Sequence, residues 1–304
     1  MSAHPMDHYP TLDAVLDEAR KLGEASVIGH SVQGRELLAV DLGGEGPLVT
    51  VTAGLHGLEF IGVQVALEVL RRGPLAGTRL VVLPVLNPDG YARTVDCGGD
   101  ARVRDLRKNA RGVDLNRNFP LPGGAPHSGL PFSGGKQPDS PTYRGPAPLS
   151  EPESAAVAAW MQQHRPHAAS NQHSFMGVLI PARVKRRADW SGYTALCRSF
   201  RAAQHGVRVG YRRLASPLFD VFTGELEDWQ HHDLRCWSVC VESFSLRASL
   251  AQHLRAPSSF ARFNPRDPTA IAQRDAVAVR AMLQTAAQMP RPAVFQRQLA
   301  AESD

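Results

Sequence analysis

The segment from Pro47 to Leu86 constrains the fold more than any other stretch of this chain. It opens on PLVTVTAG, a β-branched run ended by Gly54, and continues through LEFIGVQVALEVLRR, whose apolar residues and closing arginines fit a helix. It ends on RLVVLPVL, a second buried run of strand length that is stopped by NPDG. Strand, helix and strand of these lengths form a βαβ unit and imply a largely parallel sheet.

The rest of the chain extends that pattern. Leu12, Val15, Leu16, Ala19 and Leu22 recur at helical spacing, and Glu36–Asp41 reads as a strand entered through the turn residues of HSVQGR. Glu151–Gln163 reads as a helix with Ser150 as its candidate cap and Pro152 in its first turn. Strands are expected at Ala168–His173 and Gly177–Ile180, an apolar β-type run at Cys236–Glu242, and a helix at Pro268–Gln288. Between Asn118 and Pro152 the composition turns to Pro, Gly and Ser, which reads as a long ordered loop because periodic segments resume on both sides. One α/β domain over residues 1–290 is expected, with its core at 26–245 and a tail at 291–304.

Composition excludes several classes. In 304 residues, 43% hydrophobic content disfavours disorder, and no apolar run approaches the ~18 residues a membrane span requires, so no membrane partner is expected. The net charge of +5 is small for the length, and its densest cluster, Arg102, Arg104, Arg107, Lys108 and Arg111, suits an anionic substrate as well as a surface. No nucleic-acid partner is expected. Cys97, Cys197, Cys236 and Cys240 lack a disulfide framework and read as free thiols. The amino terminus has acidic residues where an export signal needs an apolar stretch, so the expected address is cytoplasmic.

Side chains with chemistry stand at the ends of the expected strands, where α/β sheets place their sites. His56 and Glu59, three residues apart at the strand–helix junction, can face one ion, and two His with one Glu make a zinc shell that keeps a position for water. His-x-x-Glu alone is common enough by chance to be a solvated turn. His173, in SNQHSF, is a candidate third ligand or a histidine bonded into the core. Arg107, Asn116 and Arg117, within RVRDLRKNARGVDLNRNF, offer donors for a carboxylate. Glu242 closes the run SVCVE, where partial desolvation raises a carboxyl toward the range of a general base.

Taken in order, GHSVQGREL, AGLHGLEF, LNPDGYARTVD, LRKNARGVDLNRNF, NQHS and a DW thirteen residues before Glu242 resemble the zinc metallocarboxypeptidase family, which includes pancreatic and bacterial murein-peptide carboxypeptidases. The spacings, 114 residues from Glu59 to His173 and 69 from His173 to Glu242, fit that family. The resemblance implies one domain with a mixed, largely parallel twisted sheet flanked by helices on both faces. It further implies one Zn2+ on His56, Glu59 and His173, with Glu242 as general base. Arg107 would hold the oxyanion, and Asn116 with Arg117 the terminal carboxylate. The implied activity is hydrolysis of a peptide or amide bond beside a free carboxylate, on a peptide or an N-acyl amino acid. A deacylase of N-acyl amino acids and a catalytically inactive binding protein are the alternatives.

Two positions depart from the family pattern or set specificity. Family members commonly carry a loop tyrosine 22 residues before the catalytic glutamate, where this chain has Asp220 flanked by Phe219 and Phe222, with Tyr211 the nearest tyrosine. Either Tyr211 reaches in, or a phenylalanine closes the pocket, or the substrate needs no phenol. Glu227, just before the DW dipeptide, is either an acidic pocket floor favouring a basic side chain or a surface carboxylate in GELEDW.

Overall fold

The structure is a computed structural model and describes residues 6–125, 127, 133–206, 210–214, 222–244, 250, 252 and 254–293. Its strands form one mixed sheet in the order β1 (Glu24–His30), β2 (Glu36–Asp41), β4 (Arg79–Leu83), β3 (Leu48–Thr52), β5 (Ala168–Ser174), β8 (Trp237–Ser243), β6 (Val178–Pro181) and β7 (Arg212–Arg213). The four central strands β4, β3, β5 and β8 are mutually parallel. Strands β1, β2 and β6 add antiparallel pairings toward the edges.

Helix α2 (Phe60–Arg71) is the crossover from β3 to β4, as the βαβ pattern requires. Strand order reverses between β3 and β5: β3 leads to β4 on one side, while β5 leads to β8 on the other. Loops leaving the carboxyl ends of β3 and β5 therefore part, and the crevice between them is where such sheets bind ligands.

Helices cover both faces. Helices α1 (Leu12–Leu22), α2, α6 (Arg187–Ala203) and α9 (Thr269–Ala287) share a core with Val49, Val51, Leu80, Val82, Val239 and Val241. The opposite core joins α5 (Pro152–His164) and α7 (Leu226–Leu234) to Ala39, Val81, Leu83 and Ala169. Residues of β4 alternate between the two clusters because strand side chains alternate faces. Short helices α3 (Pro88–Asp96), α4 (Val103–Arg107) and α8 (Ser259–Phe263) border the sheet.

Several local expectations change. NPDG starts α3 rather than merely stopping a strand: Asn87 Oδ1 accepts from the Gly90 N–H and Pro88 takes the first turn, where its missing N–H costs nothing. Ser150 does not cap α5. Glu151 holds the cap position without a side-chain bond to the helix's first N–H groups, and Ser150 Oγ donates to Glu151 Oε1 instead. The edge strand β1 and helices α6 and α7 are additional elements. The Pro/Gly stretch after Asn118 is fastened across its span: Asn118 Nδ2 donates to Arg144 O and Ala147 O at 2.8 and 2.9 Å. Residues 294–304 of the expected tail lie outside the described residues.

Strand β5 is polar in sequence yet buried along its whole length. Asn171 finds partners on neighbouring elements: its Oδ1 accepts from the Thr52 hydroxyl of β3 at 2.8 Å, and its Nδ2 donates to Gln230 Oε1 of α7 at 2.9 Å. The Asn171 amide is tolerated there because its oxygen and its nitrogen both find partners, since each orphan would cost ~1–3 kcal/mol.

Glu59 stands at the N-cap position of α2, yet its side chain makes no cap bond there. Asn264, distant in sequence and fully buried, does the work: its Oδ1 accepts from the Ile61 N–H at 2.9 Å and its Nδ2 donates to Leu58 O at 2.8 Å. Asn264→Ala is expected to cost about 2–3 kcal/mol by orphaning buried backbone groups. Urea denaturation checks this: the midpoint should fall with the slope unchanged, and an unmoved midpoint would refute the tethering.

Candidate metal centre and substrate cleft

The three expected donors converge. His56 lies in the loop after β3, Glu59 at the mouth of α2 and His173 in β5, all of them buried. One ligand atom from each falls within 4.8 Å of the others. Glu59 Oε1 is 2.9 Å from His56 Nδ1, Glu59 Oε2 is 2.9 Å from His173 Nδ1, and the two Nδ1 atoms are 3.1 Å apart. Two imidazole nitrogens and a carboxylate facing one point match the donor set and number of a catalytic zinc shell, so the residues fit the ion. The loop closes this tightly because Gly57 has no side chain: a Cβ there would lie 2.4 Å from the Gly90 carbonyl carbon.

Asp114 was not evident as a site residue. Its Oδ1 is 3.2 Å from His56 Nε2, and its Oδ2 accepts from Arg107 Nε at 2.7 Å. A carboxylate on the far imidazole nitrogen fixes the tautomer that turns the Nδ1 lone pair toward a metal. Burial pushes the Asp114 carboxyl up, but Arg107 and His56 outweigh it and hold the group well below the usual range. Glu59 behaves likewise, burial being overcome by His56 and His173. A VDLN run carries no mark of such a role, since the role exists only once α4 packs beside the His56 loop.

Glu242 pairs in register with His173 across β5 and β8. Its Oε2 is buried without a protein hydrogen-bond partner. Burial and the Glu59 charge push its carboxyl up to about 7, against the pull of His173 and Arg107.

A cavity of about 550 Å³ joins these groups, lined among others by His56, His173, Arg107, Asn116, Arg117 and Glu242. Glu227, at the start of α7, also lines it, is 3% exposed and leaves Oε2 without a protein partner, so the surface-carboxylate alternative is excluded. Burial, then Glu225 and Asp228, push the Glu227 carboxyl well above its usual range. Asn116 Oδ1 accepts from the Leu226 N–H at 2.9 Å, and Arg117 Nη1 lies 3.1 Å from Glu225 Oε1.

Tyr211 does not reach the cavity. It is buried with its hydroxyl donating to Asp275 Oδ2 at 2.6 Å and accepting from the Phe244 N–H at 3.1 Å. Phe222 is buried against the His232 ring and does not line the cavity, while Phe219 and Asp220 lie outside the described residues.

A family model described as zinc carboxypeptidase matches residues 9–247. Human carboxypeptidase A6 is 31% identical over 230 residues, covering 67% of this chain and 51% of that protein. The chain thus spans about half the length of the curated relatives it matches. Among solved structures, bovine thrombin-activatable fibrinolysis inhibitor in complex with tick carboxypeptidase inhibitor aligns with a TM-score of 0.72 at 20% identity, covering 91% of this chain and 97% of the other. A murein-tripeptide amidase from Escherichia coli O157 aligns at 0.50 and 21% identity, covering 80% and 93%. Both are similar in fold.

Two outcomes follow from the geometry. Asp114→Asn is expected to weaken zinc retention about 10–100-fold in chelator competition, and unchanged retention would remove Asp114 from the metal's support. For Glu227, a folded-state value raised above the unfolded one makes ionisation destabilising: the penalty is absent in acid and grows as pH climbs from the ordinary carboxyl range toward the folded value. Thermal unfolding of Glu227→Gln against the parent should therefore show no difference near about pH 4 and a stabilisation that grows toward neutrality. A difference independent of pH would contradict the buried, unpaired carboxyl.

Proposed function

The chain belongs to the zinc carboxypeptidase family, and on that premise we propose that it hydrolyses the peptide or amide bond beside a free carboxylate, with preference for a basic terminal side chain. One observation carries this reading: a single cavity joins two of the zinc donors, Arg107, Glu242, Asn116, Arg117 and the buried Glu227.

His56, Glu59 and His173 would hold the zinc ion, whose chemistry when bound is Lewis acidity toward a carbonyl and toward water. Arg117 and Asn116 hold the substrate's terminal carboxylate by charge-assisted hydrogen bonds. Glu242 takes the proton of the attacking water as its oxygen bonds to the carbonyl carbon, and returns it to the amine nitrogen as the C–N bond breaks. An elevated carboxyl suits both halves of that transfer. Arg107 donates to the oxygen on which negative charge develops, and its own charge is kept by Asp114 and Glu59 against the cost of burial. Glu227 faces the terminal side chain, where a cation would supply the charge partner that the protein withholds. Four free thiols support a reducing, cytoplasmic setting for this chemistry.

Two variants test the reading. Glu242→Gln is expected to lower kcat about 10²–10⁴-fold with zinc content unchanged, and retained turnover would sink the proton transfer. Glu227→Gln is expected to reduce the ratio of kcat/KM for substrates ending in Lys and Phe at least about tenfold, because a buried charge pair is lost. An unmoved ratio would refute the acidic floor.

A further inference from the structure

Glu225 occupies the place where a substrate carboxylate must arrive. Its Oε1 is 3.1 Å from Arg117 Nη1, and its Oε2 accepts from Arg183 Nη1 at 2.5 Å. The side chains of Glu225 and Arg117 are each only 12% exposed. The backbone on either side of Glu225 is held in place. Gly224 before it has φ +79°, and a Cβ there would lie 2.5 Å from Arg117 O. The Phe119 N–H holds Gly224 O at 3.1 Å, and the Leu226 N–H after Glu225 is bound to Asn116. The chain thus fixes an anion against one of the cations that must grip another anion.

A second anion on that guanidinium, in a mostly buried site, meets repulsion that water does little to screen. The repulsion is relieved if a cation enters in the same step. Glu227, two residues on and in the same cavity, has an oxygen free of protein partners to share that cation. Arg183 does not cancel the demand, because it is also engaged by Asp228.

We propose that Glu225 couples recognition of the terminal carboxylate to recognition of the basic side chain: the Arg117–Glu225 pair is exchanged for a carboxylate on Arg117 and a side-chain cation on Glu225. Two independent subsites would select each group separately; an ion-pair exchange rewards a ligand that brings both charges and penalises one that brings the carboxylate alone. The inference rests on the cleft reading above, and adds a specificity-determining residue to it.

Inhibition of turnover by four product-like ligands, lysine, norleucine and their two carboxamides, isolates the coupling in the zinc-loaded protein. Loss of the carboxylate is expected to weaken lysine more than norleucine by at least about tenfold, a difference that shrinks to within about twofold in Glu225→Gln. Equal losses in the unmodified protein overturn the exchange without any variant, so a misfolded Glu225→Gln does not protect it. Coupling that persists in a folded Glu225→Gln overturns Glu225 as its carrier. Equal inhibition by lysine and norleucine overturns both the exchange and the basic-side-chain reading, whereas a lysine preference with equal losses overturns the exchange alone.

Discussion

The Glu59 carboxylate is the constraint on which the site depends. One oxygen lies against His56; the other lies against His173 and also accepts from the Ser174 N–H at 3.2 Å. It thereby ties the loop after β3 to the end of β5 at the place where strand order reverses. This use of the side chain withdraws it from the helix end it occupies, and the vacancy is filled by Asn264. A functional demand at one residue thus explains an otherwise unremarkable asparagine some 200 positions away.

Much of this was legible in the sequence because it follows short-range rules. The β-branched runs, their Gly and Pro punctuation, the helical spacing of α1 and the closing arginines of α2 place the sheet and its flanking helices. The donors His56, Glu59 and His173 were visible as residue types at strand ends, and the order of six motifs identified the family. What escaped depended on contacts between distant segments. Ser150 had the chemistry of a cap, but its hydroxyl found Glu151. NPDG reads as a turn and also as a helix start, and only packing decides. Asp114 and Glu225 are ordinary acids until folding sets each against an arginine. Tyr211 looked available because sequence cannot say that Asp275 already holds its hydroxyl.

Electrostatically, the cleft is built from acids held in opposite states by their neighbours. Asp114 and Glu225 each lie beside arginines, which outweigh burial and hold Glu225 down at about 2. Glu227 and Glu242, near other acids and short of partners, are raised. Similar side chains in and behind one cavity thus divide into fixed counter-ions and groups able to take up charge or protons. The division comes from which charges each acid faces: Asp114 lies beside Arg107, Glu225 beside Arg117 and Arg183, while Glu242 of β8 stands opposite His173 of β5 and near the Glu59 charge.

The tether from Asn264 to the mouth of α2 also orders the assembly of the molecule in time. It spans 203 residues to Ile61 and 206 to Leu58, about two thirds of the chain's length. Such closures come late in synthesis and are slow to find, since loop entropy must be met before they return anything. A growing chain therefore carries His56 and Glu59 early but holds them in place only after α8 has emerged. The arrangement of the metal donors is completed with the fold, not with the motifs that encode it.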